Sequence, residues 1–197
     1  MPIPDFVADL RAHVGHDPLW LSGVSAIVLG DDGRILLTRR ADNGKWAVVS
    51  GILEPGEQPA VAAVREVAEE TGVDAEVLRL TSVDVTEPIT YPNGDVAQYL
   101  DVSFVMRATG GSARVGDDEN LEVAWFAPDN LPTPLTATSA LRLEKALADR
   151  LKRGSGGRDT APNSAPAECR PPSATFGQSD ASTGYGSRTR SPSPRPL

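Results

Sequence analysis

Cysteine is nearly absent. The 197-residue chain carries one, Cys169, so it can form no intramolecular disulfide and no cysteine-based zinc site. A basic excess is absent too: 19 Lys/Arg face 27 Asp/Glu, a formal net charge of −8. A general nucleic-acid binder presents a basic face, so no nucleic acid is expected as a partner. No apolar run approaches the roughly 18 residues that span a bilayer, so no membrane is expected either. The opening MPIPDFVADLRAHVG has no basic stretch followed by an apolar one, and a secretory signal is not expected. The expected location is therefore cytoplasmic. No internal repeat is visible.

The charge is uneven. Residues 152–197 hold seven Lys/Arg and three Asp/Glu, a net +4, which leaves −12 on residues 1–151. An acidic domain that handles an anionic substrate needs cations to bridge the two. From about Gly154 onward Gly, Pro and Ser make up almost half of the residues. Such a segment buries too little apolar surface to offset its ordering entropy, and it is expected to be a disordered, weakly basic tail. The expected organisation is a helical lead-in over 1–19, a catalytic-type domain over 20–152 and a tail over 153–197.

Periodicity assigns the elements. Ile3, Phe6, Val7, Leu10 and Val14 are spaced for a helix that Gly15 ends. VSAIVLG and RILLTRR read as strands joined by a DDG turn, and KWAVVSG as a short strand entering a loop. A helix starts near Pro59 and stops at Gly72. AEVLRLTSVDVT and AQYLDVSFVMRAT are strands flanking the YPNGD turn. LEVAWFAP is a last strand and TSALRLEKALADRLK a final amphipathic helix. The class is α/β.

One stretch, GILEPGEQPAVAAVREVAEETGV, carries the chemistry. It sets Glu66, Glu69 and Glu70 within one helical turn with no Lys nearby. Like charges at such spacings cost a few tenths of a kcal/mol per pair, so something else should want them. On a helical wheel these three carboxylates share one face, and Ala60, Val61, Ala63, Val64, Val67 and Ala68 share the other. The wheel thus expects a packed apolar side and an acidic side. Clustered carboxylates suit Mg²⁺ or Mn²⁺, completed by water and substrate phosphate. Glu57 in the preceding loop can join them, and Arg65, four residues before Glu69, can orient it. A solvated acidic helix face is the plainer alternative.

Gly51, Glu57, Arg65, Glu66, Val67, Glu69, Glu70, Gly72 and Val73 match every fixed position of the Nudix box, G-x5-E-x7-R-E-U-x-E-E-x-G-U with U aliphatic. The chain resembles a Nudix hydrolase from roughly Leu21 to Lys152. The resemblance implies an α/β/α sandwich with a mixed β-sheet between helices. It implies Mg²⁺-dependent (or Mn²⁺-dependent) cleavage of a phosphoanhydride in a nucleoside diphosphate derivative, an NTP, ADP-ribose or the like. It also implies Glu66 and Glu70 as main metal ligands, Glu69 completing the cluster, Glu57 as a further ligand or its support, and Arg65 holding the glutamates. The main-chain carbonyl of Ser50, just before the box, joins the implied ligands, although many relatives have Pro-Gly where this chain has Val49-Ser50. Glu69 or Glu66 is a candidate for the water's proton, as is a loop acid. In GDDENLE, Glu119 resembles a loop glutamate that binds metal in MutT-type members.

The substrate markers conflict. TRRA, Thr38 to Ala41, resembles the same tetrapeptide of MutT-type hydrolases and makes Arg40 a candidate substrate contact. The Asn that reads an oxidised purine there has no counterpart, Leu135 standing in that region. Pro88 lies near a proline of ADP-ribose hydrolases and Tyr91 near a tyrosine of dinucleoside polyphosphate hydrolases. The markers of NADH and coenzyme A hydrolases are absent. Tyr91, Asn93, Asp95, Gln98 and Tyr99 share a hairpin and are candidates to line a base or ribose pocket, although Asn93-Gly94 is also a turn signal by itself. Trp46 reads as core. A homodimer is possible by analogy, and a nucleotide-sensing module without turnover is the alternative of another class.

Overall fold

The computed structural model describes residues 3–154. The tail expected over 153–197 lies almost wholly outside the described residues. Among the described residues, three helices and eight strands follow one another: α1 Asp5–Val14, β1 Leu19–Leu29, β2 Ile35–Arg40, β3 Trp46–Ala47, β4 Val49–Ile52, α2 Pro59–Thr71, β5 Val73–Val85, β6 Ile89–Thr90, β7 Val96–Gly111, β8 Asn120–Phe126 and α3 Ala137–Gly154. One eight-stranded sheet runs β3-β2-β1-β7-β5, with β4 on β1, β6 on β7 and β8 on β2. β1 and β7 pair in parallel over eleven register positions from Leu19↔Ala97 to Leu29↔Arg107. The other strand pairs are antiparallel, so the sheet is mixed.

Period-two alternation along β1 feeds two cores. Val24, Ala26 and Val28 meet Ala62, Ala63 and Val67 of α2 on one face. Ile27, with Ile35 and Leu37 of β2, meets Leu143 and Ala146 of α3 on the other. The sheet therefore lies between two helices, and the α/β/α sandwich is the fold. α1 seals one end of it, where Val7, Leu21 and Ala97 pack with Ile52, Tyr91 and Tyr99. Trp46 is core, edge-on to Phe126 with ring centroids 4.8 Å apart.

The helix wheel of α2 needs correction. Ala62, Ala63, Glu66, Val67, Glu70 and Thr71 are the buried residues, whereas Val61 and Val64 are exposed, at 59% and 37%, and Ala60 and Ala68 are exposed as well. The i, i+4 line that faces the fold runs through two glutamates. A wheel that sorts by polarity turns the helix by about one position, because it assumes that every carboxylate seeks water.

Two close approaches hold α2 in place. Gly72 ends the helix in the left-handed region, φ +66°, and its N–H donates to the Ala68 carbonyl. The last-turn carbonyls then accept from the chain after β7: Gly116 N–H to Glu70 O at 2.9 Å, Arg114 N–H to Thr71 O at 2.9 Å and Ser112 N–H to Gly72 O at 3.1 Å. Gly116 lies so close to the Glu69 carbonyl that no Cβ would fit there. The acidic loop 117–119 is thus docked on the end of the glutamate helix.

Candidate active site

Arg65 answers the charge question. Its Nε and Nη2 donate to Glu57 at 2.9 Å each, and its Nη1 donates to Glu66 at 3.0 Å and Glu69 at 3.2 Å. The fork of Arg65 holds Glu57 well below the ordinary carboxylate range, and the guanidinium's own pKa is raised by the same bonds. The three carboxylates that the wheel put on one face separate here. Glu69 is half exposed, while Glu66 and Glu70 are buried, at 0% and 6%.

Burial dominates the electrostatics of that pair. It pushes the Glu66 carboxyl up to about 7, against the pull of Arg65. It pushes Glu70 up to about 8, with Glu66, Asp117 and Glu119 adding repulsion and a bond from Asn120 opposing. Glu66 Oε2 is buried with no hydrogen-bond partner. A buried, unpartnered carboxylate oxygen costs a few kcal/mol unless something binds it, so it marks a place for a cation.

A cleft opens at Glu70. Thr38, Arg40, Ala47, Val48, Ser50, Glu70, Glu119 and Asn120 line it. β2 and β8 pair across its wall, with a register shift between Arg39 and Arg40. Arg40 enters with both branches on Asp42, at 2.9 Å each, and lies within electrostatic reach of Glu119 and Tyr91. Among the described residues no three His, Cys, Asp or Glu side chains stand close enough together to hold a metal ion as arranged. The donor chemistry nonetheless fits one: hard oxygens, excess negative charge and the orphan oxygen of Glu66.

The hairpin residues divide. Tyr91 and Tyr99 share a hydroxyl–hydroxyl bond of 2.8 Å and pack beside Ile52. Burial and that bond raise the Tyr99 hydroxyl, and both Arg11 and Arg40 act on it. Asp95 turns away to α1, bonded to His16 at 2.7 Å and paired with Arg11 at 3.5 Å. Gln98 donates to the Thr86 carbonyl at 2.9 Å. Of the five hairpin candidates, Tyr91 and Tyr99 lie within electrostatic reach of Arg40. Leu135 packs with the Trp46 core, bridged to that residue. Asn120, absent from the sequence-based candidates, is 7% exposed and touches Glu70. Its only signal in the sequence was its place beside Glu119.

Gly51 adds a constraint. A Cβ at this position would overlap the Glu66 carboxylate. Gly51→Ala is expected to lower kcat by about 10- to 100-fold, as displaced support of a ligand does. Steady-state kinetics beside a melting curve test this; an Ala variant with native kcat would contradict the contact.

The fold, a mixed sheet between helices, sets a buried glutamate, Glu70, at a cleft that also holds an arginine, Arg40. The chain belongs to the Nudix family, whose NUDIX domain model matches residues 20–147. It is 38% identical over 133 residues to the MutT-like protein of Streptomyces ambofaciens, covering 66% of this chain and 79% of that one. It is 34% identical over 131 residues to the 8-oxo-dGDP phosphatase NUDT18 of Homo sapiens, covering 64% of this chain but 38% of that one. It is 35% identical over 108 residues to the ADP-ribose pyrophosphatase of Methanocaldococcus jannaschii, covering 53% and 61%. Among solved structures, the MutT NUDIX hydrolase of Burkholderia pseudomallei superposes with a TM-score of 0.52 at 31% identity, over 64% of this chain and 98% of that one. No helix among the described residues is long and apolar enough to cross a membrane.

Proposed function

We propose that the chain hydrolyses a phosphoanhydride of a nucleoside diphosphate derivative, with Mg²⁺ or Mn²⁺, to a nucleoside monophosphate and a phosphorylated product. The observation that carries this reading is the buried Glu66–Glu70 pair, in which Glu66 keeps an orphan oxygen and Glu70 lines the cleft that holds Arg40. Glu66 and Glu70 would hold the ion, with Glu119 and the Ser50 carbonyl beside them. When bound, such an ion neutralises the diphosphate and acidifies a water.

The chain's own groups do the rest. Arg40 orients a phosphate oxygen, already splayed by its fork on Asp42. Tyr91 and Tyr99 offer an aromatic wall for the nucleoside. Arg65 fixes Glu57, Glu66 and Glu69 so that little reorganisation remains at the moment of reaction. Glu69, half exposed and tethered through one oxygen, takes the proton of the attacking water. The new P–O bond forms from that water, and the bridging P–O bond breaks to release the second phosphate.

The relatives' names point to 8-oxo-dGDP and ADP-ribose as first substrates to try. An oxidised-(d)NTP hydrolase is the narrower form of this reading, and the core position of Leu135 gives it no purine-reading amide. The test is a panel of 8-oxo-dGDP, 8-oxo-dGTP, canonical (d)NTPs, ADP-ribose, sugar nucleotides and dinucleotides with each metal. Monophosphate release from at least one is expected. Silence across the panel with Mg²⁺ and Mn²⁺ contradicts the reading, and thermal stabilisation by a nucleotide without turnover would make the chain a sensing module.

We also place it in the cytoplasm, acting without nucleic acid or membrane, as a homodimer. Val61 and Val64 of α2 and Leu80, Val83 and Val85 of edge strand β5 are exposed apolar residues that suit a second copy. A monomer in analytical ultracentrifugation would end that part.

A further inference from the structure

Asn120 opens β8 and reaches across to the C-terminal turn of α2. Its Nδ2 donates to Glu70 Oε2 at 3.0 Å and to Asp117 Oδ1 at 3.3 Å. Asp117 Oδ1 also accepts the Glu119 N–H, at 3.1 Å. The Glu70 carbonyl, on the same residue, accepts the Gly116 N–H at 2.9 Å. Glu70 is therefore tied to the acidic loop twice, once through its backbone and once through its carboxylate.

The type of donor matters. Lys or Arg here would cancel the charge that a cation needs. A buried amide fixes one carboxylate oxygen in place and leaves its charge intact. It also joins that oxygen to the loop that carries Glu119.

We propose that Asn120 is a positioning residue that orients Glu70 for a divalent cation and locks the acidic loop beside it. The proposal rests on the reading of Glu70 as a metal ligand. Asn120 touches neither reacting atoms nor substrate; it acts through Glu70.

The experiment titrates Mn²⁺ into the full chain without nucleotide and follows free Mn²⁺ by electron paramagnetic resonance. Wild type, Asn120→Ala and Asn120→Leu are compared, the last filling the side chain's volume without a donor. Both variants are expected to keep their circular dichroism and to raise the Mn²⁺ Kd by about 10-fold or more. At saturating metal, the nucleotide KM should stay within about twofold of wild type while kcat falls, which a general loosening of the fold would not produce. Variants that bind Mn²⁺ as wild type does would overturn the assignment and leave the hydrolase reading intact. A wild type that binds no Mn²⁺ would overturn both. Loss of fold in both variants would make Asn120 a structural residue and end the proposal as well.

Discussion

Replacing Glu70 by Gln is expected to lower kcat/KM by about 10³-fold while raising the melting temperature of the metal-free protein. On the proposed reading, the loss follows from removing a charge that would hold the cation. Metal stabilisation of the transition state is worth several kcal/mol, and about 1.4 kcal/mol is tenfold in rate. The gain follows from the same burial. At neutral pH the Glu70 carboxyl is pushed up to about 8 by desolvation, so the fold carries either an expensive charge or an extra proton. A Gln of the same shape removes that cost, and its carbonyl still accepts the Asn120 amide that Glu70 accepts at 3.0 Å. Activity and stability therefore move in opposite directions, as they do where a site is built against the stability of its own fold. Kinetics and calorimetry on one preparation check both. A Gln variant with native turnover would remove Glu70 from the mechanism, and one that melts earlier than wild type without metal would refute the electrostatic account.

The second large effect is on stability against pH. Glu70 has an ordinary value of 4.5 in an unfolded chain and about 8 when folded. Its folded pKa is raised, so the native state binds the extra proton. The stability this contributes is fully present below about 4.5 and is lost as pH rises toward 8. Glu66, raised to about 7, adds in the same direction and is coupled to it. At about 1.4 kcal/mol per pKa unit, Glu70 alone accounts for on the order of 4 kcal/mol across the window. A domain of this size shifts by about 2–4 °C per kcal/mol, so roughly 10 °C of melting temperature is at stake. Glu57 and Asp42, held low by Arg65 and Arg40, act the other way and cost stability as pH falls below the carboxylate range. The metal-free protein should therefore melt highest near pH 5 and progressively lower toward pH 8. Excess Mg²⁺ should flatten that fall by binding the ionised pair. A melting temperature that rises from pH 5 to pH 8 without metal would contradict the burial of these two groups.

Much of this was legible in the chain. The nine fixed residues of the glutamate stretch named the family, and Pro59 and Gly72 bounded α2 as their backbone preferences require. The apolar, β-prone runs VSAIVLG and RILLTRR gave β1 and β2, because strands covered on both faces bury nearly every residue in turn. What failed was the orientation of α2. Val61 and Val64 are apolar and fall on the wheel's inward side, yet Glu66 and Glu70 occupy the inward line. Polarity predicts burial only where a residue has no task, and here the task reverses the rule. Asn120 was illegible for a different reason. Its contact to Glu70 spans 50 residues of sequence and depends on how the loop after β7 docks on a helix end. Asp95 and Gln98 share a hairpin with Tyr91, but His16, Arg11 and the Thr86 carbonyl claim them.

Glu66 and Glu70 are proposed to grip a divalent cation beside the cleft that Glu70 lines. Anomalous scattering from a crystal of the chain soaked in Mn²⁺ and a nucleoside diphosphate tests it most directly. The account predicts a peak coordinated by carboxylate oxygens of both residues, with a phosphate oxygen on the same ion. Clear density for the two carboxylates with no ion between them, at saturating Mn²⁺, would contradict it.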